Sequence, residues 1–239
     1  MAAKYHLGFI SPRYSSSPHY AGFKALLPKD VQLDFAGLEL AGGSLQELQN
    51  KKDIILSRTQ ELAQKRKWHG LIVSGAPTEV YNPGLMAGLR SSLNVPVTTA
   101  MKASIAALGA YGAKRVLLLT PFDEPLNKLI RDHLGHEGVE AHSPVDTLKH
   151  YTDALKLKPE EVYTLTKKAF SEAPNPEAIY FQGAVLDPLQ IMDRLESDFS
   201  TTVVASNPAM LWYIVSRLGG RYQIPGYGKL LREWPKLPD

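Results

Sequence analysis

The chain contains no cysteine, which excludes disulfides, thiolate metal ligands and any thiol acting as nucleophile or proton carrier. Long apolar runs are also missing. No stretch approaches the roughly 18 consecutive apolar residues that a membrane-spanning helix requires, so no membrane association of that kind is expected. Charge of one sign is scarce: 239 residues carry 27 Lys and Arg against 24 Asp and Glu, a net charge of +3. The basic residues are scattered among acids rather than drawn into a stripe, so nucleic acid is not an expected partner. The densest basic run, Gln64-Lys65-Arg66-Lys67, falls where a predicted helix ends and cations complement the helix dipole. No G-x-G-x-x-G follows a strand-like run and no Walker-type lysine is present, which argues against a nucleotide. No apolar signal region precedes Tyr5, and a cytoplasmic location is expected.

Short apolar runs alternate with helical stretches along the whole chain. Tyr5 to Ile10, Val31 to Phe35, Gly70 to Val73, Val95 to Thr98, Arg115 to Leu119, Val139 to His142, Ala178 to Phe181 and Thr202 to Val204 read as strands. Several are continuously apolar, the pattern of parallel strands covered on both faces. Ser44-Leu45-Gln46-Glu47 reads as a capping box opening a long helix toward Lys67. Asn82-Pro83 reads as a cap and first-turn proline before a helix from Leu85 to Leu93, Lys158-Pro159-Glu160-Glu161 as the start of another ending near Ala173, and Asn207-Pro208 as the opening of the last long one. The series of strand and helix up to about Met101 repeats from Ala113. The expected fold is α/β: two pseudo-symmetric Rossmann-like α/β/α lobes, each with a mainly parallel four-stranded sheet, and a pocket between them. The expected lobes are residues 1–102 with 209–239, and residues 103–208.

In open α/β sheets ligands bind beyond the carboxyl ends of the strands, so the loops that follow the strands hold the candidate chemistry. Ser11-Pro12-Arg13-Tyr14-Ser15-Ser16-Ser17-Pro18 is rich in hydroxyls and has one guanidinium, suited to gripping a carboxylate; the alternative is a capped turn with a surface arginine. Ser74-Gly75-Ala76-Pro77-Thr78-Glu79 has small residues that let backbone amides approach an anion. Thr120-Pro121-Phe122-Asp123, Gln182-Gly183-Ala184-Val185-Leu186-Asp187 and Ser206-Asn207-Pro208 each offer small or polar groups at a helix start. His133 and His136 are spaced i, i+3, but a metal site needs a third convergent ligand, and no metal is expected. His150-Tyr151 lies in an irregular segment that either covers the cleft or is a plain surface loop.

At these loops the sequence resembles the aspartate/glutamate racemase superfamily, and within it the arylmalonate decarboxylase and maleate isomerase branch. The stretches that carry the resemblance are Leu71-Ile72-Val73-Ser74 running into Thr78, Val97-Thr98-Thr99-Ala100-Met101 with Ala106 to Gly109, Lys114 to Thr120 with Asn127, Ala169-Phe170 through Ala173-Pro174 to Ala178 to Phe181, and Val203 to Ala209 with Trp212. The ordered set covers nearly the whole chain. In that family, two thiols flank the substrate and move a proton on either face of an α-carbon, while decarboxylases keep only the second. The resemblance places Pro77 at the first thiol position, within a residue, and Gly183 at the second. A two-thiol racemase is therefore excluded, because neither residue has a proton to move.

The resemblance implies that anion-holding groups survive: Thr78, the amides around Thr78 and Glu79, and the amides of Gly183 and Ala184. It sets Phe122 where decarboxylases carry a tyrosine hydroxyl, and Ser11 and Pro12 at the pocket lip. It implies a cysteine-free enzyme acting on a small carboxylic acid through an enolate-like or enediolate-like intermediate, with no metal, nucleotide or flavin. Glu79, Thr78 and Tyr14 are the expected catalytic residues, with Lys102 in reserve. Ser11, Pro12, Arg13, Pro77, Phe122, Gln182, Gly183 and Ala184 are the expected substrate-binding residues. Glu79 has a second reading as a first-turn acid that stabilises a helix start. Two other functions stay open: a family member that binds a small carboxylate without turning it over, and different chemistry on a larger substrate that stacks on Phe122. Self-association is implied by the family alone.

Overall fold

The computed structural model describes residues 3–13, 19–144 and 151–238. All eight expected strands form: β1 (Tyr5–Ser11), β2 (Val31–Gly37), β3 (Gly70–Val73), β4 (Val97–Thr99), β5 (Arg115–Leu119), β6 (Glu140–His142), β7 (Ala178–Phe181) and β8 (Thr202–Ala205). They make two four-stranded sheets, ordered β2-β1-β3-β4 and β6-β5-β7-β8, with every pairing parallel. The identical order is the duplication visible in the sequence. The fold is α/β, as expected. Contacts gather the chain into two compact units, Met1–Ala103 with Met210–Arg221, and Ser104–Ala209 with Tyr222–Asp239.

The central strands explain their own composition. All four residues of β3 and all four of β7 are buried. Burying side chains such as Leu71, Ile72 and Val73 stabilises by roughly 1.5–3 kcal/mol each, which suits continuous apolar runs to the middle of a parallel sheet. Beneath the first sheet, Phe9 meets Phe23 edge-on at 4.9 Å between ring centroids and Phe35 at 5.3 Å. Phe23 comes from α1 (His19–Ala25).

The remaining helices are α2 (Lys52–Arg66), α3 (Ala76–Val80), α4 (Leu85–Ser92), α5 (Ala100–Ala110), α6 (Glu124–His136), α7 (Pro159–Glu172), α8 (Met192–Phe199), α9 (Ser206–Arg217) and α10 (Lys229–Glu233). Two helix starts differ from expectation. The capping box at Ser44 forms, with Ser44 Oγ accepting from Gln46 N–H and Glu47 accepting from Ser44 N–H, but it closes only a 3-10 turn at Leu45–Leu48. Asn50 then adopts a left-handed φ of 57°, and α2 begins afresh at Lys52. Asn82 does not cap α4; Gly84 does, at φ 79°. The Asn82 side chain instead ties segments together. Its Oδ1 accepts from Lys51 N–H at 2.7 Å, and its Nδ2 donates to Leu48 O at 2.9 Å and Thr78 O at 2.8 Å. The basic run after Gln64 ends α2, and Lys67 closes it in a left-handed cap. Among the described residues no helix is long and apolar enough to cross a membrane.

Candidate active site

In each sheet the chain winds first to one side and then to the other, so the switch point lies between β1 and β3 in the first and between β5 and β7 in the second. A crevice opens outside the carboxyl ends of the strands at such a point. Four of the five loops singled out from the sequence leave from these strand ends, and the fifth, Ser206-Asn207-Pro208, follows β8.

In the first unit, Ser11 and Pro12 are buried and their carbonyls accept from Leu38 and Leu40 N–H, both at 2.9 Å. Arg13 lies half-buried, with its backbone N–H on Ser11 Oγ at 3.2 Å and its Nη2 on Gly42 O at 2.9 Å. The guanidinium thus braces the 42–44 turn. The same turn donates three backbone N–H groups to the Glu47 carboxylate, which holds that carboxyl below its ordinary range. Tyr14, with Ser15, Ser16, Ser17 and Pro18, and likewise His150, lies outside the described residues.

The loop after β3 turns at Gly75, with φ 87°. Pro77, in the first turn of α3, has no N–H to offer. Thr78 is buried; its hydroxyl donates to Ser74 O at 2.8 Å and its N–H to Gly75 O at 3.1 Å. Both of its hydrogens are therefore engaged within the loop, unlike the ligand-facing donors expected from the sequence. Glu79 follows as a carboxylate only 7% exposed, in the first turn of α3. Lys102, half-buried, has its backbone N–H on Thr99 Oγ1 at 3.1 Å.

In the second unit, Asn127 locks the loop after β5. Thr120 Oγ1 donates to Asn127 Oδ1 at 2.5 Å, Asn127 Nδ2 donates to Phe122 O at 3.0 Å, and Phe122 N–H returns to Thr120 Oγ1 at 3.1 Å. This clamp presents Pro121 and Phe122 to Gly183. A Cβ on Gly183 would lie 2.8 Å from Pro121 Cδ and 3.2 Å from Phe122 Cζ, and its φ of 110° disfavours any L side chain. Position 183 lacks a thiol and also lacks the room for one.

Gln182 is 1% exposed. Its N–H donates to Leu119 O at 2.9 Å, and its Oε1 accepts from the Tyr180 hydroxyl at 2.5 Å. Its Nε2 is buried and has no hydrogen-bond partner among the described residues. Ala184 is half-buried beside it. Further along, Leu189 N–H donates to Asp187 Oδ1 at 3.0 Å. The Asp187 side chain reaches solvent, yet desolvation raises its carboxyl above the ordinary range, with the Leu189 N–H opposing. Asn207, in the first turn of α9, is 5% exposed, and its Oδ1 is buried with no partner among the described residues.

Sequence reading gave Asn82, Asn127 and Asn207 either cap roles or none. The signal available for Asn127 was its place in the family resemblance; for Asn82, whose partners Leu48 and Lys51 lie 34 and 31 residues away, there was no local signal. His133 and His136 end α6, and among the described residues no three His, Cys, Asp or Glu converge to hold a metal.

The comparisons agree with this architecture. The chain is 29% identical over 167 residues to the arylmalonate decarboxylase of Bordetella bronchiseptica, covering 64% of this chain and 65% of that protein. It is 23% identical over 145 residues to the maleate isomerase of Alcaligenes faecalis, covering 59% of this chain and 56% of that protein. The chain thus spans less than two thirds of the length of either curated relative. An unliganded arylmalonate decarboxylase structure superposes with a TM-score of 0.81 at 23% identity, covering 96% of this chain and 100% of that one. The maleate isomerase of Pseudomonas putida S16 does so with a TM-score of 0.76 at 20% identity, covering 96% and 99%. The family model for arylmalonate decarboxylase matches residues 26–231, a span that takes in both sheets from β2 onward and the strand-end loops after β3, β5, β7 and β8. With the two switch-point sheets in place, that match establishes that the chain belongs to the arylmalonate decarboxylase family.

Proposed function

We propose that this protein is a thiol-independent enzyme acting on a small carboxylic acid, of decarboxylase or isomerase type, through an enediolate-like intermediate. The observation that carries the reading is Gln182 Nε2, a buried N–H donor without a partner among the described residues, at the carboxyl end of β7, where an α/β sheet receives its ligand. Leaving such a donor unmatched costs about 1–3 kcal/mol, and a carboxylate oxygen would supply the missing acceptor through a charge-assisted bond. A preorganised donor aimed at an oxygen that gains charge lowers the barrier by roughly 3 kcal/mol. Proton movement falls to carboxylates rather than thiols, with buried Glu79 as the group in the first unit. Ser11, Pro12, Arg13, Pro77, Phe122, Gln182, Gly183 and Ala184 remain the proposed substrate-binding residues, and Tyr14 a proposed catalytic residue.

The engagement of both Thr78 hydrogens within its own loop favours a second reading, a protein that binds a small carboxylate without turning it over. Thermal shift measured beside turnover, on a panel of malonates and maleate, separates the two. Stabilisation with carbon dioxide release or isomerised product, abolished by Glu79→Gln, supports the enzyme. Stabilisation without chemistry supports the binder, and the absence of both overturns the carboxylate reading.

A further inference from the structure

We propose that the ligand of this site carries a hydroxyl on the carbon next to its carboxylate, and that Asn207 Oδ1 recognises that hydroxyl; this rests on the reading that Gln182 receives a small carboxylic acid. The two side chains start the loops that leave neighbouring strands. β7 and β8 pair in parallel with Phe181 opposite Ala205, so Gln182 stands one residue beyond the last pair and Asn207 two. Both are almost wholly buried, Gln182 at 1% and Asn207 at 5% exposure.

Their unmet groups have opposite polarity. Gln182 Nε2 is a donor and Asn207 Oδ1 an acceptor, and neither has a partner among the described residues. Buried polar atoms in folded proteins nearly always have partners, so each orphan at a strand end marks a complementary group supplied from outside. A carboxylate oxygen answers Gln182 but brings no hydrogen for Asn207. That acceptor calls for a donor hydrogen on the same ligand.

A small pocket within the second unit narrows the choice of donor. Asn207 lines it together with Gly183, Ala184, Asp187 and Ser206, among largely apolar neighbours. Its volume is 10 Å³, the space of about one water, so it admits one small group of a ligand rather than a whole molecule. A hydroxyl has that size and brings one hydrogen. An ammonium would bring three N–H donors to a wall with one buried unmet acceptor among the described residues. Neighbouring strands run about 4.8 Å apart, which suits a hydroxyl one carbon from the carboxylate rather than several. A site of this kind discriminates strongly, because an analogue without the hydroxyl leaves the buried acceptor unpaired.

Isothermal titration of the full chain with hydroxymalonate and methylmalonate tests the inference. The two diacids are alike in size and in their carboxylates, and differ by an O–H in place of a methyl. Wild-type protein is expected to bind hydroxymalonate roughly 10–100-fold more tightly. Asn207→Leu should erase that preference by weakening hydroxymalonate alone, whereas Gln182→Leu should weaken both diacids alike and keep the preference. The wild-type comparison decides by itself if Asn207→Leu fails to fold. Equal wild-type affinity for the two, the result of a pocket that holds only a water, overturns the inference and leaves the carboxylate reading standing. A preference that survives in Asn207→Leu does the same. Binding of neither diacid removes the carboxylate reading and this inference together.

Discussion

Adding one methyl group at Gly183 should be among the costliest small substitutions in the chain. Gly183→Ala places a Cβ 2.8 Å from Pro121 Cδ, 3.1 Å from Pro121 Cγ and 3.2 Å from Phe122 Cζ. The phenyl ring can turn away. The pyrrolidine ring cannot, and Asn127 pins the loop that carries it. Overpacking of this kind costs about 1–3 kcal/mol. The backbone adds a second penalty: φ is 110°, where an L residue costs on the order of 1–3 kcal/mol. The two together amount to about 2–6 kcal/mol, or on the order of 5–20 °C in melting temperature for a chain of this size. Denaturant unfolding and thermal melts of wild type, Gly183→Ala and Phe122→Leu/Gly183→Ala measure it. The double variant should recover only part of the loss, because the Pro121 contact and the φ remain. A Gly183→Ala protein within about 0.5 kcal/mol of wild type, the range of an inconsequential surface change, would refute the claim that this position is closed to a side chain.

Three further expectations follow from other contacts. Asn82→Ala removes bonds to Lys51 N–H, Leu48 O and Thr78 O and should destabilise by about 2–4 kcal/mol, read as a lowered denaturant midpoint at unchanged slope. Glu47→Gln should speed amide hydrogen exchange at Gly42, Gly43 and Ser44. In the wild type that protection, present above the unfolded carboxyl range, should be lost as pH falls through the depressed pKa of Glu47. Asp187 works with the opposite sign. Its folded pKa is raised, so its contribution to stability is full below the unfolded value and is lost as pH rises through the folded one. Asp187→Asn should therefore gain on wild type between acid and neutral pH, and a pH-independent difference would contradict that.

The strands were legible because burial on both faces leaves no alternation to misread: Gly70 to Val73 and Ala178 to Phe181 are buried throughout, and their edges were found within a residue or two. Helix starts were less legible where a local signal served another purpose. Ser44 and Glu47 do make a capping box, but the left-handed Asn50 behind it stops the helix, so the motif was right and its extent was wrong. Asn82 before Pro83 looked like a cap because the sequence cannot show that its amide is claimed by backbone more than thirty residues away. At the candidate site, the strand-end loops were legible from the sequence, yet the direction of each hydrogen bond within them was not. Thr78 could have been anticipated, since a helical threonine commonly returns its hydroxyl to the carbonyl four residues back. The closure over Gly183 could not, because it depends on how Asn127 sets Pro121 and Phe122 against a loop some sixty residues later.

The most direct test of a cysteine-free carboxylate site is deuterium incorporation at the α-carbon, followed by NMR in heavy water with malonates and maleate. Labelled product is expected with wild-type protein, with a loss of roughly 10–100-fold in Gln182→Leu, the worth of one hydrogen bond to a charged oxygen. Equal labelling by wild type and Gln182→Leu, or no labelling above a protein-free control, would contradict it.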